Sequence, residues 1–358
     1  MNPTEVTLGI GRELERNAVR VRNGIRYALG SEWAPVSPTP KDTVWTQGKA
    51  QLWRYRSDNV SFAPPVLLFI GLVSRSWILD LHPSNSLVAR LRDAGFDVYV
   101  LDWGVPDAAD AANTLETYVA RYLPRAIRAM LRESHCRECS IVGYCMGGNL
   151  ALMLAGSELG VPIRNLVTMA TAVDFHQMGG LIDSLRNGAL DADALTDWTG
   201  NIPAGYISRL FRVRKPTSDI AEYANLWENL WNDEYVSSHQ AMARWASEHV
   251  PLPGALTRQL IDSWLDQNAF MTDRLRLVGS RVDLRRVSIP MLCVFGGRDT
   301  LVLPEAARPI ADLVGSDDLQ LLELDAGHAG LTVSPTAARV TIPRLIDWLQ
   351  RHSETKAD

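Results

Sequence analysis

Apolar positions along this chain fall into two patterns that alternate up to about residue 173, and the alternation predicts a layered sheet-and-helix architecture. Pro65-Val66-Leu67-Leu68-Phe69-Ile70 and Asp97-Val98-Tyr99-Val100-Leu101-Asp102-Trp103 are continuous apolar runs of strand length, as parallel strands buried on both faces require. The stretch between them, around Ser86-Leu87-Val88-Ala89-Arg90-Leu91, has helical spacing. Val44-Trp45 and Gln51-Leu52-Trp53-Arg54-Tyr55 read as an opening hairpin, 108–132 as a helix, and Ser140–Val142 and Asn165–Ala170 as two more strands. Residues 13–29 have helical patterning, and Pro35, Pro38 and Pro40 then mark an extended linker.

Between residues 174 and 283 the alternation stops, and it resumes with the strands Ile289–Phe295 and Leu319–Leu324. Structureless loops beyond ~15 residues are uncommon, so the interruption predicts an inserted, mainly helical cap. The expected organisation is an α/β, doubly wound, mostly parallel sheet built from 41–173 and 284–358, preceded by a helical segment and linker (1–40) and interrupted by the cap (174–283). Trp198, Trp227, Trp231, Trp245 and Trp264, with Tyr206, Tyr223 and Tyr235, make the cap aromatic. Such residues can exclude water and line an acyl tunnel, or simply form the cap's own core.

Composition narrows the function classes. A chain of 358 residues, 46% hydrophobic and with a net charge of −5, can bury a large core and offers no basic field for nucleic acid. No apolar run approaches the ~18 residues of a membrane span, and the first residues have no charged region followed by an apolar one, so a cytoplasmic location is expected. His135-Cys136-Arg137-Glu138-Cys139 has C-x-x-C spacing but no second pair at zinc-site distance, and no metal is expected.

The chemistry concentrates at Ile141-Val142-Gly143-Tyr144-Cys145-Met146-Gly147-Gly148, a buried strand breaking into a helix through a G-x-C-x-G turn. This is the pattern of a nucleophile elbow, with a thiol where a hydrolase usually carries a hydroxyl. A thiolate is both a good nucleophile and a good leaving group, so acyl exchange between Cys145 and another thiol is roughly isoenergetic and reversible. An acid and a base follow in the expected chain order. The strand ending Phe295-Gly296-Gly297-Arg298-Asp299 delivers Asp299 as the orienting carboxylate, with Asp102 and Asp174 next in line, and Leu324-Asp325-Ala326-Gly327-His328 delivers His328 as the base.

These residues resemble the polyhydroxyalkanoate synthases over about 44–349. The resemblance rests on Trp77-Ile78-Leu79-Asp80-Leu81, Val100-Leu101-Asp102-Trp103-Gly104-Val105-Pro106, the elbow, Asp283-Leu284-Arg285-Arg286-Val287-Ser288-Ile289-Pro290 and Gly327-His328-Ala329-Gly330. The short length and first forty residues are most similar to the two-component class III type. The resemblance implies an α/β-hydrolase fold and an acyltransferase that polymerises 3-hydroxyacyl-CoA through a Cys145 acyl-thioester, releasing CoA without metal or other cofactor. It also implies a growing polyester chain, a homodimer, a second helical synthase subunit and residence at the surface of polyester granules. By motif, Cys145, Asp299 and His328 are the catalytic residues, and the backbone amides of Met146 and Val73 the oxyanion donors. The chain departs from the family's usual form at Thr300, where a histidine usually follows the aspartate, and at Ser74, where an asparagine is usual. A thioesterase or hydrolase of acyl-CoA or polyester oligomers, and a catalytically silent binding protein, are the alternative readings.

Overall fold

A computed structural model describes residues 13, 15–25, 27, 35–178, 195–212 and 226–356. Tyr223 and parts of the expected N-terminal helix and cap lie outside the described residues. The strands of the main sheet are β1 (Lys41–Gln47), β2 (Ala50–Tyr55), β3 (Phe62–Phe69), β4 (Phe96–Asp102), β5 (Cys139–Tyr144), β6 (Ile163–Met169), β7 (Met291–Gly296), β8 (Leu319–Leu324) and β9 (Glu354–Thr355). They lie in the order β1-β2-β4-β3-β5-β6-β7-β8, with β9 added beside β3. From β4 across to β8 neighbouring strands are parallel, whereas β1–β2, β2–β4 and β9–β3 are antiparallel.

The strand period of two sorts each apolar run between two cores. Leu67, Phe69, Tyr99, Leu101 and Ile141 face one side, against helices α2 (Leu123–Ser134) and α3 (Met146–Ala155). Val66, Leu68, Val98, Val100 and Val142 face the other, against α1 (Leu87–Asp93) and α6 (Ile342–Arg351). Nearly all of these side chains are fully buried, each contributing roughly 1.5–3 kcal/mol. Of the remaining helices, α4 (Ala204–Arg212) and α5 (Asp233–Ser247) belong to the stretch between β6 and β7.

Two elements differ from the sequence expectation. The helix expected over 108–132 is broken into a short 3-10 turn (Ala108–Asp110), a π-helical turn (Glu116–Tyr122) and α2, which runs on to Ser134. Pro124 is the cause. It has no N–H for the carbonyl four residues back, so the preceding turn widens and the Leu123 N–H reaches the Tyr118 carbonyl, five residues back. Pro343 does the same ahead of α6, where the Ile342 N–H reaches Ala337. β3 also begins earlier than expected, at Phe62. Pro64 and Pro65 cannot donate to the ladder, and the strand's register against β4 shifts across them, while Phe62 and Ala63 pair with β9.

The aromatic residues of 174–283 do not behave as one set. Trp264 is 2% exposed and packs against Phe175 and Phe270, whereas Trp198 and Trp227 are 92% and 68% exposed and line neither a core nor a tunnel.

Candidate active site

The expected catalytic trio gathers at the carboxyl ends of β5, β7 and β8, where parallel sheets present their loops to ligands. Cys145 stands between β5 and α3 with φ 56° and ψ −128°, a conformation that costs a non-glycine residue about 1–3 kcal/mol. It is held there from both sides. Its N–H donates to the Met169 carbonyl at 2.7 Å, and its carbonyl accepts from Gly148 N–H at 2.9 Å and Thr171 Oγ1 at 3.1 Å. Glycine is required on both flanks because a Cβ on Gly143 would lie 2.7 Å from the Gly147 oxygen, and one on Gly147 2.6 Å from the Phe69 oxygen. The thiol is half-buried at the N-terminus of α3, whose first amides have no acceptor within the helix.

Asp299 is carried past β7 by Gly296 and Gly297, and its side chain is fully buried. Oδ1 accepts from the Leu301 and Val302 amides at 2.8 and 2.9 Å, which turns Oδ2 toward His328 Nδ1 at 2.7 Å. With Nδ1 engaged by Asp299, Nε2 is the ring nitrogen left to face Cys145, whose charge acts on the imidazole. Asp102 and Asp174 are committed elsewhere. Asp102 accepts from Ser76 Oγ and the Gly104 amide, and Asp174 from Asn268 Nδ2 at 2.8 Å and the His176 amide at 3.0 Å.

Burial alone would lower the His328 pKa. The charge of Cys145 and the hydrogen bond to Asp299 outweigh it and push the imidazole up to about 10. A folded value above the ordinary 6.5 means that this pairing stabilises the fold fully below pH 6.5 and loses that contribution as the pH rises through about 10. Removing the thiol removes the leading upward influence. In Cys145→Ala, His328 is therefore expected to titrate at lower pH than in the native protein, as followed by imidazole NMR; an unchanged titration would show that Cys145 exerts no charge on the ring.

Sequence patterns give no sign of Tyr144 as a link between these parts. Its hydroxyl donates to the His328 carbonyl at 2.7 Å, tying the residue before the thiol to the loop that carries the imidazole. A composition-based reading sees only a large apolar residue in a buried strand.

The loop after β3 completes the corner. A Cβ on Gly71 would lie 2.8 Å from that of Met146, so the loop that carries Val73 is backed against the first residue of α3. Two of the motifs on which the resemblance rests brace this loop. Trp103 Nε1 donates to the Ile70 carbonyl at 2.9 Å, Asp102 holds Ser76, and buried Asp80 accepts from Thr39 Oγ1 at 2.8 Å and Ser86 Oγ at 2.6 Å.

The other cysteines have a different character. Cys293 lies in β7 with burial pushing its thiol up to about 11, and Cys139 is raised by burial at the start of β5. Cys136 is half-buried, and all four cysteines are free. Among the described residues no cluster of three or more His, Cys, Asp or Glu is placed to hold a metal, and no helix is long and apolar enough to cross a membrane.

Comparison with known proteins places the chain in a family. Residues 64–335 match the alpha/beta hydrolase fold family. The poly(3-hydroxyalkanoate) polymerase subunit PhaC of Allochromatium vinosum is 33% identical, over 92% of this chain and 94% of its own. The subunit of the same name from Thiocystis violacea is 28% identical, over 96% and 97%. That of Haloferax mediterranei is 33% identical over 90% of this chain, which spans 66% of that relative's length. Among solved structures, the monoacylglycerol lipase of Paleococcus ferrophilus superposes with a TM-score of 0.50 at 17% identity, covering 84% of this chain and 99% of its own, a likeness of fold alone. With the alpha/beta hydrolase sheet and a relative a third identical over nearly its whole length, the chain belongs to the family of poly(3-hydroxyalkanoate) polymerase subunits.

Proposed function

We propose that this protein is an acyltransferase that polymerises 3-hydroxyacyl-CoA into polyhydroxyalkanoate. The observation that carries the reading is the convergence of a strained elbow thiol with His328, which is bonded at 2.7 Å to the buried Asp299. The assignment of substrate class is supported by the names of relatives that the chain matches over nearly their whole length.

In the first half of the cycle His328 Nε2 takes the Cys145 proton and the thiolate attacks the thioester carbonyl of the acyl-CoA. The Met146 and Val73 amides receive the oxyanion, each donor contributing about 3 kcal/mol to the transition state. The intermediate collapses with cleavage of the C–S bond to CoA, which leaves as a thiol after taking the proton from His328. The acyl group is now on Cys145 Sγ. In the second half, the 3-hydroxyl of a hydroxyacyl group or chain end gives its proton to His328, attacks the Cys145 thioester and forms the new ester as the Cys145 thiolate departs. Asp299 fixes the tautomer and stabilises the imidazolium in both halves.

Residues 174–283 are the cap in this reading, set over the core of 41–173 and 284–358. It is supported by the bonds between the end of α5 and the loop after β3. The relatives' designation as subunits supports an assembly with a second, helical subunit, and we place the working complex, a homodimer of this chain with that partner, at the surface of the polyester granule. No bound cofactor enters any step.

Incubation with 3-hydroxybutyryl-CoA, with and without a candidate second subunit, tests the proposal by following CoA release and product size together. Stoichiometric CoA with a high-mass polyester is the expected result. Free CoA with monomeric acid would reassign the protein as a thioesterase, and no CoA release would overturn acyl transfer altogether.

A further inference from the structure

Two main-chain carbonyls of the loop after β3 fasten it to the stretch between β6 and β7. The Val73 carbonyl accepts from the Val250 N–H at 3.1 Å, and the Arg75 carbonyl accepts from Trp245 Nε1 at 2.9 Å. Trp245 lies near the end of α5, and Val250 is buried three residues beyond that helix. Charged contacts reinforce the junction: Glu248 accepts from Arg244 at 2.8 Å and lies 3.9 Å from Arg75, while the Arg244 guanidinium sits over the Trp77 ring. Farther along α5, Ser237 and Ser238 bond His82 at 3.1 Å and Asn85 at 2.7 Å, so the helix is docked on the segment that follows the loop as well.

These bonds bracket one peptide group. On one side Gly71 is backed against Met146, and on the other the Val73 and Arg75 carbonyls are pinned by Val250 and Trp245. The Leu72–Val73 peptide, whose N–H is the proposed second oxyanion donor, lies between. A peptide plane held at both ends keeps the direction of its N–H, whereas one held at a single end is free to rotate, and an oxyanion donor is effective only within hydrogen-bond reach of the charge it receives. Core contacts hold the two flanks of the loop, Ile70 through Trp103 and Ser76 through Asp102, but the carbonyls of Val73 and Arg75 are held from α5 and the residues that follow it.

We propose that Trp245 is a positioning residue for the reaction, acting through the oxyanion loop, so that the site is complete only while the end of α5 is docked. Docking of the helix and competence for acyl transfer are then one event. A segment displaced by an entering acyl chain or by a partner subunit loses the Val73 donor in the same movement, and regains it on closing. This rests on the acyl-transfer reading above.

Trp245→Phe tests it: it keeps an aromatic ring against the core while removing the N–H together with part of the indole's bulk, and the comparison of two rates separates loss of the bond from general loosening of the fold. Two rates are compared in native and variant protein: acylation of Cys145 by 3-hydroxybutyryl-CoA, and alkylation of Cys145 by iodoacetamide. Alkylation displaces iodide at a saturated carbon and develops no oxyanion. The expected result is a fall in the maximal acylation rate of about tenfold to a hundredfold, with half-saturation by acyl-CoA nearly unchanged and alkylation altered less than about twofold. Parallel loss of both rates would mean that Trp245 merely supports the fold, and overturns the proposal. So would an unchanged acylation rate. If the native protein releases no CoA while its Cys145 alkylates normally, the acyl-transfer reading itself has failed, and this inference goes with it.

Discussion

Cys145→Ala is expected to abolish CoA release from 3-hydroxyacyl-CoA while leaving the fold in place. Alanine removes the only atom that can hold the acyl group, and by analogy with removal of a hydrolase nucleophile the loss should be on the order of 10⁶-fold. The fold should survive because the thiol is half-buried and packs at the edge of the core, and the strained backbone at the elbow is held by the Met169, Gly148 and Thr171 bonds, all of which involve Cys145 main-chain atoms. The measurement is CoA release with a thermal melt of the same preparation. Residual release above about a hundredth of the native rate, with the melt unchanged, would place the nucleophile elsewhere.

Asp299→Asn should separate the two halves of the cycle. Thiols ionise easily compared with alcohols, so acylation needs an imidazole nearby more than it needs a strongly basic one. The hydroxyl that attacks in the second half is a far weaker acid and depends on a correctly oriented, strongly basic ring. Asparagine can still accept from Leu301 and Val302, but its amide can face His328 Nδ1 as a donor and so favour the wrong tautomer. Chain growth is expected to fall by about 10⁴-fold, as when a triad aspartate is neutralised, while a first CoA release remains measurable in a single-turnover experiment. Equal impairment of both halves, or of neither, would assign Asp299 a purely structural part.

The sheet is legible in the sequence because its strands are written as uninterrupted apolar runs, which only a doubly covered parallel sheet requires. The thiol, carboxylate and imidazole are legible because each stands where such a run ends in small residues, so their spacing along the chain reflects the spacing of strand ends in space. Asp102 shows the limit of that logic. It also ends an apolar run, and only the bonds it makes to Ser76 and Gly104 separate it from Asp299. The π-helical turns ahead of α2 and α6 escape a periodicity argument because one proline changes a hydrogen bond without changing which face is apolar. Tyr144 and Trp245 escape it for a different reason. Each acts by bonding a main-chain carbonyl, 184 residues away for Tyr144 and 170 for Trp245, and every residue carries such a carbonyl. Trp198 and Trp227 have the residue type of a core but stand in solvent, a matter of which side of a short helix or turn faces inward.

The raised thiols in β5 and β7 bear on how this protein ages. Oxidants attack thiolates, and burial keeps Cys293 and Cys139 protonated and out of contact with solvent at neutral pH. Peroxide therefore meets cysteine sulfur only at Cys136 and Cys145, both half-buried, while the interior stays chemically inert. In the acyl-transfer reading, a preparation left in air is expected to lose turnover by sulfenic acid formation at Cys145 rather than by unfolding. At that stage a reductant can restore it, and once the sulfur has advanced to sulfinic acid the loss is permanent.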